Sequence, residues 1–187
     1  MLFAVFATGL IVAGLFYVWI TAELSGTLSS SKVDLAADLR SIANWIAKDA
    51  RQTICWEIAA PANNPLSSHI KFRKITGWNI TNDEPQLGSN YIEYSFDASA
   101  KTITRTDSAE PTKSWKFYNI TQVPFYTYNS SGTLVVIDPP TPSDSSPLLT
   151  SKRLVVKLIG QKEVNRFNHT YTLSIPLNLE VKIRNCE

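Results

Sequence analysis

MLFAVFATGLIVAGLFYVWITA, residues 1–22, runs on into ELSGTLSSSKVDLAADLRSIANWIAKDARQTICW, residues 23–56, and the two together read as one helix that meets two solvents. The first stretch carries no charged side chain. At about 1.5 Å per residue it is long enough to cross a bilayer core of ~30 Å. Tyr17 and Trp19 lie at its far end, and amphipathic rings of this kind favour the membrane interface. No Lys or Arg precedes the run, and the helical pattern continues past Glu23, so a retained helix is expected rather than a cleaved signal peptide. In the second stretch Leu35, Leu39, Ile42 and Ile46 recur at helical spacing and form one stripe, with Ala36, Ala43 and Ala50 beside it. Asp38, Arg40, Lys48, Asp49 and Arg51 take the remaining faces. The later half should therefore lie on a globular surface while the apolar half projects from it.

After Pro61 and Pro65 the periodicity falls to two. Residues 69–75 (HIKFRKI), 91–96 (YIEYSF) and 101–106 (KTITRT) read as strands, the last two joined as a hairpin. Residues 114–120, 133–137, 153–159, 170–175 and 177–183 read the same way, with Pro176 marking an edge or a bend. A loop separates the strands at 114–120 and 133–137, and DPPTPSDSSP, residues 138–147, is too rich in proline for helix or sheet. The expected class is α+β: a long protruding helix whose C-terminal half packs on an antiparallel β-sheet domain. The expected divisions are 1–30 for the hydrophobic half, 31–60 for its amphipathic continuation and 61–187 for a β-rich head.

Eighteen basic and sixteen acidic residues leave a net charge of +2, interspersed along the chain, so no nucleic-acid footprint is present. The two histidines, His69 and His169, have no nearby Cys or carboxylate at metal-ligand spacing, and no nucleophile elbow, Walker, zincin or EF-hand pattern occurs. The sequence therefore assigns no catalytic residue, no metal and no cofactor. Cys55 and Cys186 would pair if the head lies in an oxidising compartment, closing a loop worth roughly 5 kcal/mol in the chain-entropy model; two unpaired thiols are the alternative. Four N-x-S/T acceptors stand at Asn79, Asn119, Asn129 and Asn168, each individually weak as a glycosylation signal.

The layout resembles the type IV pilin-like superfamily, that is, type IV pilins and the pseudopilins of type II secretion. The likeness is carried by the apolar opening (MLFAVFATGLIVAGLFYVW) and by its continuation DLRSIANWIAKDARQT. That continuation is similar to the D-x-R…W-I-x-x-D-x-R-Q helix end of J-type minor pseudopilins and related minor pilins. SHIKFRKI, YIEYSF and KTITRTD look like the first sheet strands of that group. The match spans residues 1–107. The resemblance implies a non-enzymatic structural subunit, held in the inner membrane before assembly and then built into an extracellular or periplasm-spanning filament. Its partners would be copies of itself or other pilin-like subunits, with the head extracytoplasmic. Phe3, Ala4, Ala7, Gly9, Leu10, Ala13, Gly14 and Phe16 would form the helix–helix contacts of the filament core, the small residues permitting close approach. A family prepilin has a short basic leader and a Glu at the fifth residue of the mature helix. This chain has Val5 and no Glu before Glu23, which bears on the position it would take in a filament. The rival reading is a single-span anchor carrying an extracytoplasmic β domain that binds a ligand or partner. A plain anchor is more often followed by a flexible linker than by an amphipathic continuation such as residues 33–56.

Overall fold

A computed structural model of the chain describes residues 2–53, 58–59, 69–122, 125–136 and 152–183. A single helix, α1 (Leu2–Arg51), is followed by β1 (Ile58–Ala59), β2 (His69–Asn79), β3 (Glu84–Asp97), β4 (Thr102–Asp107) and β5 (Ser114–Phe117). Then come β6 (Ile120–Gln122), β7 (Phe125–Tyr128), β8 (Leu134–Val136), β9 (Arg153–Arg166) and β10 (His169–Lys182). The architecture is α+β, but with two antiparallel sheets rather than one. The first runs β1-β2-β3-β4-β5; the second runs β10-β9-β7-β8, with β6 also paired to β9.

The helix closes with Lys48 and Arg51 in its last turn, where basic side chains suit the negative end of the helix dipole. It ends at Arg51, short of residue 56, and Ile58–Ala59 pairs with β2 instead of extending the helix. The chain leaving α1 is tied to β2: the Ile75 N–H donates to the Gln52 carbonyl at 3.0 Å, and the Thr53 hydroxyl donates to the Arg73 carbonyl at 2.6 Å. β4 pairs only residues 92–97 of β3, so the β2–β3 hairpin continues past this tie as a two-stranded ribbon. At its tip stand the exposed Trp78 and Ile80.

The stretch 114–120, expected as one strand, serves both sheets. Asn119 adopts a left-handed φ of 63° and breaks it, leaving β5 in the first sheet and sending β6 into the second. Residues 170–183 show the reverse. β10 runs unbroken through Pro176, which is accommodated because β10 is an edge strand and needs no outward N–H there. β7 falls in what reads as loop; its alternation of buried Phe125 and Thr127 with the half-buried Tyr126 and Tyr128 is the strand signal.

The amphipathic half of α1 lies between the sheets. Leu35, Leu39, Ile42 and Ile46 are buried, and all but Leu35 share a core with Ala43, Ala47 and Ala50 of the same helix. Ile70, Phe72, Ile92, Tyr94 and Ile103 close that core from the first sheet, and Leu154, Val156, Leu158 and Val181 from the second. Each fully buried aliphatic contributes about 1.5–3 kcal/mol. Gly160 in β9 lets the helix come close: a Cβ there would stand 3.0 Å from both Leu35 Cδ1 and Leu39 Cδ1.

Candidate functional site: an exposed apolar half-helix and its anchor

Among the described residues, the apolar half of α1 has no partner outside the helix. Phe3 is 90% exposed, and Phe6, Leu10 and Phe16 are exposed alongside it. So are Ala4, Ala7, Gly9, Ala13 and Gly14, and nothing lies within 4 Å of a Cβ built at either glycine. An uninterrupted apolar surface of this length is far larger than the isolated apolar residues normal on a soluble domain. By length and composition this helix is able to cross a membrane. Its two threonine hydroxyls suit apolar surroundings, because both are satisfied within the helix: Thr8 donates to the Ala4 carbonyl and Thr21 to the Tyr17 carbonyl, each at 2.8 Å. Ala4, Val5, Thr8, Gly9 and Val12 line a shallow groove along one face. The small side chains form its floor, into which a second helix can settle.

The other half is held by a polar cluster inside the core. Asp49, expected on the solvent face with Lys48 and Arg51, is instead 2% exposed. Its carboxylate accepts from Arg105 Nε at 2.8 Å and from Arg105 Nη2 at 3.3 Å, a two-point contact that matches guanidinium to carboxylate. The Tyr94 hydroxyl donates to the same carboxylate at 2.6 Å. Trp45 and Trp115 form a tilted roof over the guanidinium, with ring centroids 4.8 and 4.9 Å from its central carbon. Burial, and next the negative charge of Asp49, push the Tyr94 phenol far above its ordinary range, so it remains a neutral donor. The cluster joins the last turns of α1 to β3 and β4. Its contacts are those of a clamp.

This clamp escaped sequence reading because its members are far apart in the chain. One signal was available: Arg105 follows Ile103 on the buried face of β4, and a buried cation needs a buried anion. Leu35, Leu39, Ile42 and Ile46 meet the sheets as one stripe, whereas the filament-core set from Phe3 to Phe16 is exposed and meets none of the described strands.

Each of the four sequon asparagines has a backbone duty. The Asn79 side chain accepts from the Thr81 N–H at 3.0 Å, and that of Asn129 accepts from the Ser131 hydroxyl and the Thr133 N–H, both at 2.8 Å. Asn119 and Asn168 hold left-handed conformations, which asparagine tolerates better than most residues. Of the four, Asn168 is exposed and the others are half-buried. Cys55 and Cys186 lie outside the described residues, as does the proline-rich stretch 138–147. Among the described residues no group of three His, Cys, Asp or Glu side chains is placed to hold a metal ion.

A scan against protein-family models and a search of curated proteins both find no match to this chain.

Proposed function

We propose that this chain is a structural subunit of a type IV pilus-like or pseudopilus filament, assembled through the apolar half of α1 with the β head on the outer surface. The observation that carries the reading is the continuity of α1. One 50-residue helix is exposed on every face over its apolar part and buries one stripe against two sheets in its later half. A tether needs no such rigid joint, whereas a subunit that polymerises through its helix must pass the geometry of that helix to its head. The reading gains support from where the family-like stretches meet. Residues 38–53, 91–96 and 101–107 supply Asp49, Tyr94 and Arg105, which close on one another in the clamp. Before assembly, lipid satisfies the apolar half; in a filament, equivalent helices of other copies or of related subunits replace it. A head-to-tail contact of this kind does not close on itself and yields a helical polymer.

Electron microscopy of material sheared from expressing cells, with mass spectrometry of the fibres, tests this. Fibres composed mainly of this chain identify a principal subunit, and fibres in which it is a trace component identify a minor one. A chain found solely in the membrane fraction of cells that make no fibres would overturn the filament reading in favour of an anchored binding domain.

A further inference from the structure

The β9–β10 hairpin runs beside α1 toward the apolar half, and the contacts show its direction. Gly160 faces Leu35 and Leu39, and two residues further along β9, Lys162 Nζ lies 3.9 Å from Asp34 Oδ2. Beyond that point the hairpin keeps a buried face in Val164 and Leu173, and the helix answers with buried Ser31 and half-buried Leu24, Thr27 and Leu28. From Gly160 to the tip at Phe167 is seven residues, at most about 23 Å of strand, which corresponds to about fifteen residues of helix. Counted back from the midpoint of Leu35 and Leu39, this lets the tip reach as far as the level of Ala22, where the charge-free stretch ends.

The tip is built against local preference. Arg166 pairs with His169 around a two-residue turn whose central residues, Phe167 and Asn168, have φ of 50° and 60°. Such a turn suits Asn, Asp or Gly at both central positions. Here Phe occupies the first and is 45% exposed, and the exposed Arg166 adjoins it in sequence. An aromatic side chain next to an arginine in sequence, on a hairpin directed toward the end of the apolar run, matches the chemistry of a bilayer interface.

We propose that the Arg166–His169 turn is a second membrane contact, in which Phe167 enters the headgroup region and Arg166 meets lipid phosphates, setting the head against the bilayer before assembly. The inference rests on the membrane-inserted state of the function proposed above and not on polymerisation. Occupied, the contact gives the strained turn a use and leaves one rigid body touching the bilayer at two places.

The test uses the full chain reconstituted in phosphatidylcholine–phosphatidylglycerol vesicles whose acyl chains are brominated near the headgroup, with tryptophan emission as the signal. Quenching of Trp19 reports insertion of the helix. Phe167→Trp should about double the bromine-quenched amplitude, because a second interfacial indole is added. Ile80→Trp, at the tip of the ribbon tied to the other end of α1, should add emission that bromine does not quench. Quenched Trp19 with unquenched emission from position 167 overturns the second contact and leaves the inserted helix standing; unquenched Trp19 overturns both. The unsubstituted chain in nanodiscs supplies a measurement that needs no variant. Lipid carrying a spin label on its headgroup should broaden the amide signals of residues 166–169 and spare residue 80, and equal broadening at both places overturns the proposal.

Discussion

Asp49 is tolerable in the core only because Arg105 and Tyr94 answer it. Asp49→Ala leaves the guanidinium buried without its counter-charge and should destabilise the head by about 3–5 kcal/mol. Urea unfolding followed by the emission of Trp45 and Trp115, the roof of the clamp, would read this directly. Tyr94 carries a second prediction. Its folded-state pKa lies above the ordinary 10.0, first through burial and then through Asp49, so its contribution to stability is complete below about pH 10. The contribution is lost as pH rises beyond that, because the unfolded phenol ionises first. Phenolate absorbance should therefore show one tyrosine that titrates only as the protein unfolds, and Tyr94→Phe should remove that late step. Neither effect is visible in the sequence. An Asp in a charged helix end, a Tyr in an aromatic strand and an Arg in a polar hairpin are each ordinary until folding brings them together.

Along α1, the apolar stripe by itself leaves the axial register open. A shift of seven residues, about 10 Å, would carry Leu35 to the place of Ile42, Leu39 to that of Ile46, and Ala36 to that of Ala43. The Asp49–Arg105 pair rejects such a slide, as do the ties of Gln52 and Thr53 to β2, while Gly160 accepts Leu35 and Leu39 at a distance no larger residue permits. Gly160→Val should cost about 1–3 kcal/mol by overpacking, measured as a lower denaturation midpoint. The weakest length of the helix is Ser25 to Ser31, where Gly26 is exposed and only Leu28 breaks a run of Gly, Ser and Thr. Nothing stands within 4 Å of a Cβ at Gly26, so Gly26→Ala should strengthen the helix by up to about 1 kcal/mol. Slower amide exchange across residues 25–31 would register the gain. The helix and most strands were legible because each rests on its own periodicity. The division of residues 114–122 between two sheets was not, because a single left-handed Asn119 decides it.

The whole molecule joins a β head, firmly docked on half a helix, to another half that the head does not cover. If that uncovered half forms a filament core, a charge placed in it should stop assembly without touching the head. Gly9→Asp sits where a buried charge in an apolar setting costs about 2.5–3.5 kcal/mol, and none of the described residues of the head lies within 4 Å of a Cβ there. Fibres should vanish while the circular dichroism and melting of the head remain those of the parent. Normal fibres from this variant would mean that the helix is not the core.

The sequence by itself determined the long helix, the place where its solvent changes, and the α+β class, because all three follow from which residues neighbour one another along the chain. Only the tertiary structure decided that two sheets hold the helix, that Asp49 faces inward, and that Gly160 receives the helix. Only it laid the β9–β10 hairpin along α1 in the direction of the apolar run. These depend on residues far apart in the chain, 45 between Asp49 and Tyr94 and 121 between Leu39 and Gly160, and no local spacing encodes where a strand will lie against a helix.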